Sequence, residues 1–209
     1  MKPGGVVSIK RLKLFDYFTK NKMLILMFFV FVLGLIFSSI TFSGSKAALI
    51  SDKLFKFYVS ARRDSGFISI VFSALLEYLA VTLAFFVSGA SVVGVILSPA
   101  LCFSVGLYYG TLTSFTYSAF SLKGIAFNSV IIIPAALVFS LCVFFAAKEA
   151  FMFSSVLLRL TMPKSRPINV SGEFKIYCGK FFIVIILSIL SALIDAVVSV
   201  SFIKFFSFI

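Results

Sequence analysis

The chain has 209 residues, 61% of them hydrophobic, with a mean hydropathy of +1.17; soluble domains are roughly 45–50% apolar, so an ordinary soluble fold is excluded. Its net charge is +12, from 19 Lys+Arg against 7 Asp+Glu, and the basic residues gather beside the ends of apolar runs. That placement sets membrane topology and meets anionic lipid rather than nucleic acid.

Five long apolar stretches follow in order: Met23–Phe42, Phe67–Val87, Ser91–Phe120, Ile125–Ala147 and Tyr177–Phe205. Each reaches the roughly 20 residues a helix needs to cross a bilayer. The runs are continuous rather than alternating, which excludes outer-membrane strands. Lipid leaves the backbone no partner but itself, so the fold class is all-α: a polytopic membrane helix bundle of about five transmembrane helices.

Residues 1–22 form a basic arm, with Lys2, Lys10, Arg11, Lys13, Lys20 and Lys22 against Asp16 alone. The following run is too long for a signal-peptide core of about 7–15 residues and reads as an uncleaved signal-anchor. From residue 23 to 209 the chain reads as one membrane domain. Residues 43–66 are a first loop with five basic residues and substantial apolar content, fitting either a short amphipathic helix, on the membrane surface or against a partner, or a plain solvated connector. Gly89, Gly94 and Pro99 predict a broken or re-entrant segment near 88–99, and Pro134 predicts a kink in the fourth helix. Residues 148–176 form a second polar loop, in which Phe151–Leu160 is a candidate interfacial helix ended by Pro163 and Pro167. With the N-terminus cytoplasmic, 12 basic residues lie inside and 7 outside, which favours an outward C-terminus.

Little in the chain can do chemistry. There is no histidine, no phosphate-binding loop and no catalytic pair, so no enzyme and no cofactor is expected. Cys102, Cys142 and Cys178 lie in or beside apolar runs without metal-ligand spacing and read as small buried hydrophobes. The exceptions are two carboxylates inside the spans, Glu77 and Asp195. An ionisable group at membrane depth usually faces the bundle interior and marks a site or an essential polar contact. Glu77 aligns at helical spacing with Ser73, Ala80, Ala84 and Ser88; Asp195 aligns with Ser188, Ser191, Ala192 and Ser199. Brought close together in one site, the two would oppose each other's ionisation. Gly106 and Gly110, four apart, form a small-xxx-small motif for close helix packing.

The segment Ser88-Gly89-Ala90-Ser91-Val92-Val93-Gly94 resembles the Ser-Gly-x-Ser-x-x-Gly signature of the stage II sporulation protein M family. The spaced Gly106 and Gly110, the Leu122-Lys123-Gly124 turn and the Ile131-Ile132-Ile133-Pro134 run are similar to that family as well. Asn128-Ser129 and the displaced Pro99 depart from its pattern. The resemblance implies a non-enzymatic scaffold in a bacterial cell membrane that recruits a lytic transglycosylase and an amidase/endopeptidase to the sporulation septum during engulfment. Loop 43–66 and the helix faces around Glu77 and Gly106 are then the expected partner contacts, beside membrane lipid. The alternative is a small transporter or channel-like subunit using Glu77 and Asp195, which would require a homo-oligomer. Discontinuous helices of the kind expected at 88–99 often mark transport sites.

Overall fold

A computed structural model of the chain describes residues 22–41, 48–63, 66–161 and 169–206. The arm before Lys22, Pro163 and Pro167 lie outside the described residues. The elements are α1 (Lys22–Thr41), α2 (Ala48–Arg63), α3 (Phe67–Gly89), α4 (Gly94–Phe127), α5 (Ile133–Leu160) and α6 (Val170–Phe202), with a π-helical turn at Asn128–Ile132 and a 3₁₀ turn at Ile203–Phe205. No strand occurs among the described residues, and the all-α expectation holds.

Four helical stretches are long and apolar enough to cross a membrane: Lys22–Thr41, Phe67–Gly89, Gly94–Leu160 and Val170–Phe202. The third has 67 residues and would measure about 100 Å if straight. It folds back at Ser121, whose φ of 48° and ψ of −124° leave the helical region. Thr116 Oγ1 bonds the Thr113 carbonyl at 2.8 Å just before the reversal. A Cβ on Gly124 would collide with the Thr116 carbonyl, so the hairpin closes only around glycine. The chain therefore makes five crossings.

Neighbouring side chains fix the packing directions. α1 runs parallel to α4: the Cys102 thiol donates to the Met27 carbonyl near one end, and Ser38 bonds Thr111 at 2.8 Å near the other. α6 runs antiparallel to α3, through Tyr177 to the Phe86 carbonyl at 2.8 Å and Thr82 to Ser188 at 2.9 Å. α5 and α6 are also antiparallel, with Phe153 stacked on Tyr177 at 4.5 Å and Cys142 against Ser191. Phenylalanines fill the spaces between helices, while many others, such as Phe29 and Phe72, face outward as lipid-contacting bulk.

Three sequence expectations change in detail. The break near 88–99 is a tight turn at 90–93 between α3 and α4, with Ser154 of α5 donating to the Ser91 and Val92 carbonyls at 2.7 and 3.1 Å. Pro99 lies inside α4. Before Pro134 the helix widens into the π turn. This accommodates the missing proline N–H and the bulk of its ring, at the kind of irregularity where helices kink. The second loop is mostly helix: α5 runs unbroken through Phe151–Leu160 and α6 begins at Val170. Both helices project about 10 Å beyond the 90–93 turn, measured from Ser154 and Tyr177.

Candidate functional site

The first loop is a helix built into the bundle. α2 is the most strongly amphipathic of the helices. Its apolar face, Phe55, Tyr58 and Val59, is buried, and Phe55 packs on Phe115, Phe120 and Phe127. The same face carries Arg62, only 2% exposed. α2 thus fills the end of the bundle between α3, α4 and α6 instead of lying on the membrane surface.

Arg62 brings the two intramembrane carboxylates together. Its Nη2 lies 2.6 Å and its Nε 3.3 Å from the two oxygens of Asp195, a bidentate pair. Nη2 also lies 3.7 Å from Glu77. Nη1 donates to the Tyr58 carbonyl at 3.1 Å, and the guanidinium sits 3.7 Å above the Tyr58 ring. Burial pushes the Tyr58 phenol above its ordinary range, so the ring under the cation is neutral. Burial works against the charge on Arg62, but the paired Asp195 carboxylate opposes that penalty, and the guanidinium is held above its ordinary pKa.

Asp195 is fully buried. Besides Arg62 it accepts from the Tyr78 hydroxyl at 2.8 Å and from Ser199 at 3.2 Å. It therefore accepts four hydrogen bonds, about the full capacity of a carboxylate. Ser188, Ser191, Ala192 and Ser199 lie with it on the buried face of α6. Tyr78 stacks on Phe139 at 4.1 Å, which fixes the hydroxyl that reaches Asp195.

Glu77 is placed differently. The buried face of α3 is Ile70, Ala74, Tyr78, Thr82, Phe85, Ser88 and Gly89, which includes Ser88 of the face expected but otherwise lies one residue round from it. Glu77 stands at its margin, with 27% of its side chain exposed and a hydrogen bond to Tyr108. It opens onto a predominantly apolar groove of about 380 Å³ whose walls come from α2, α3 and α4 and whose floor is Tyr109 and Phe139.

The remaining candidates are packing sites. A Cβ on Gly106 would strike the Phe31 carbonyl, and one on Gly110 would come within 2.9 Å of the Leu35 carbonyl. The small-xxx-small face is therefore covered by α1 and is not open to a partner. Gly89 is pressed against Tyr177 and lies 2.7 Å from Ala150 Cα by the same measure, and Gly94 against the Ser88 carbonyl. Pro134 follows the π turn and is distant from both carboxylates in sequence.

Sequence reasoning overlooked Arg62, Tyr58, Tyr78 and Tyr108. Arg62 was counted among loop charges; its signal was its place on the apolar face of an amphipathic segment. A second ion pair also escaped notice: Lys180 reaches Glu149 at 2.6 Å, with Lys148 at 3.6 Å. No group of three or more metal-ligating side chains occurs among the described residues. No family model matches this chain, and neither a curated protein nor a solved structure matches it.

Proposed function

We propose that the chain is a non-enzymatic membrane scaffold, with the task its sequence resemblance implies: gathering a lytic transglycosylase and an amidase/endopeptidase at the sporulation septum of a bacterial cell. The observation that supports a structural role is the saturation of Asp195. A carboxylate that carries a proton or an ion through a cycle needs a free lone pair or a mobile partner. Asp195 accepts four hydrogen bonds from fixed groups and joins α2, α3 and α6 into one unit. Such an ion pair specifies an arrangement of helices more than it supplies reactivity.

In this reading the N-terminus is cytoplasmic and the C-terminus outside. Arg62 is buried, so it no longer counts as a loop charge, and the basic balance becomes twelve against six. The outward side then presents the exposed face of α2, including Ile50 and Lys53.

Affinity capture of the tagged chain from sporulating cells in mild detergent tests the reading. Both hydrolases are expected with the wild type, and less of each with Ile50→Ser combined with Lys53→Glu, which leaves Arg62 in place. Capture of no cell-wall hydrolase overturns the assignment. In proteoliposomes no coupled ion flux is expected; a flux abolished by Glu77→Gln would establish transport instead.

A further inference from the structure

The ionic cluster does not balance. Among the described residues, one cation, Arg62, faces two carboxylates, Asp195 and Glu77. Asp195 takes the bidentate pair, and Glu77 keeps a long contact at 3.7 Å. The less well paired carboxylate is therefore Glu77, which stands beside the Tyr108 hydroxyl in the wall of the apolar groove. A carboxylate at membrane depth is costly to ionise unless a cation lies beside it, so it favours a cationic partner.

Depth selects that partner. Glu77 is ten residues into α3, which begins at Phe67, hence about 15 Å along a helix that crosses a core about 30 Å thick. The carboxylate stands near the midplane, out of reach of lipid headgroup amines. An acyl chain would fill the groove but offers Glu77 nothing.

The groove has the shape of a helix seat. α3 and α4 are joined by a four-residue turn yet touch little along their length. Glu77, Val81 and Ala84 line one wall at helical spacing, and Ser104 and Tyr108 line the other. Small Ala84 and Ser104 allow a backbone to come close. A second copy of this chain is poorly matched: apart from Arg62, the basic residues of its described spans either lie towards helix ends, at Lys22, Lys123, Arg159 and Lys175, or already pair with Glu149, at Lys148 and Lys180.

We propose that this groove seats the transmembrane helix of a partner protein bearing a lysine or arginine near mid-membrane, whose cation pairs with Glu77. The inference rests on the scaffold reading and names the chemistry by which the scaffold recognises its clients.

The test uses the full chain, with Ser104→Cys and Cys178→Ser, in phosphatidylcholine vesicles. The probes are synthetic leucine-rich peptides of about 22 residues, each with one cysteine a turn away from a central lysine, leucine or glutamate. Oxidative cross-linking to the thiol introduced at position 104 is measured. The lysine peptide is expected to cross-link roughly tenfold or more above the leucine peptide, as buried charge pairs couple strongly; the glutamate peptide should fall below both. Glu77→Gln should erase the preference. Equal yields from the lysine and leucine peptides overturn the proposal without any variant at Glu77, as does an introduced thiol that links mainly to a second copy of the chain. Hydrolase capture from cells is a separate readout. Captured partners without a charge preference leave the scaffold and remove the groove; a charge preference without captured hydrolases does the reverse.

Discussion

Replacing Arg62 with methionine tests whether the buried ion pair holds the bundle together. The substitution keeps an unbranched apolar chain under the Tyr58 contact but removes both hydrogen bonds to Asp195 at 2.6 and 3.3 Å and the one to the Tyr58 carbonyl. Asp195 is fully buried and would keep only Tyr78 and Ser199. Stranding one partner of a buried pair costs about 3–5 kcal/mol. At about 2–4 °C per kcal/mol for a chain of this size, the midpoint of thermal unfolding should fall by roughly 6–20 °C. The assay is heating in detergent with a thiol-reactive fluorophore, which reads the exposure of buried Cys102 and Cys142. Lys56→Met, on the same helix, removes the exposed pair with Asp52 and should cost less than about 1 kcal/mol. Combining Arg62→Met with Asp195→Asn removes both charges and should recover more than half of the loss. The reasoning fails if Arg62→Met unfolds no earlier than Lys56→Met, or if the double variant is as unstable as the sum of its singles.

Three further changes probe the frame around the cluster. Gly106→Leu sets a side chain against the Phe31 carbonyl and should lever α1 off α4, at a cost of about 2 kcal/mol or more; Cys102, bonded to the Met27 carbonyl, should then label well below the global transition, and before Cys142. Ser121→Gly removes the penalty of a non-glycine residue at φ 48° and should raise stability by up to about 1 kcal/mol, whereas Ser121→Val should lower it by more than that. Tyr177→Phe loses the hydrogen bond to the Phe86 carbonyl but keeps the stacks on Phe86 and Phe153; the thermal assay should show a loss of about 1 kcal/mol.

The membrane spans were legible because a bilayer demands long, uninterrupted apolar runs and the chain supplies them. The reversal at Ser121 was legible as the short break between the runs ending at Phe120 and starting at Ile125, which holds Lys123 and Gly124; the positive φ of a non-glycine residue there leaves no trace in hydropathy. α2 was hard to read because its sequence satisfies two environments. An amphipathic segment with Lys53 and Lys56 outward suits a membrane surface, and the same pattern suits a wedge in the end of a bundle. The difference between them is Arg62. On a membrane surface an arginine on the apolar face would snorkel to water; here it turns inward because a carboxylate waits at its depth.

The same physics explains why the site was half legible. Glu77 and Asp195 stand out because a charge inside an apolar run is expensive. Their counter-ion did not stand out, because it lies in a segment where charge costs nothing on sequence grounds. A general reading follows: when two carboxylates sit within membrane spans and no basic residue shares their depth, the compensating cation belongs to a loop that folds inward or to another chain. Among the described residues, one cation here serves two carboxylates. Asp195 took it because four donors converge there, whereas Glu77 opens to a groove. The inward loop accounts for one charge and a partner helix for the other, so Arg62→Met should unsettle the fold while Glu77→Gln should leave the fold intact and change only what the groove accepts.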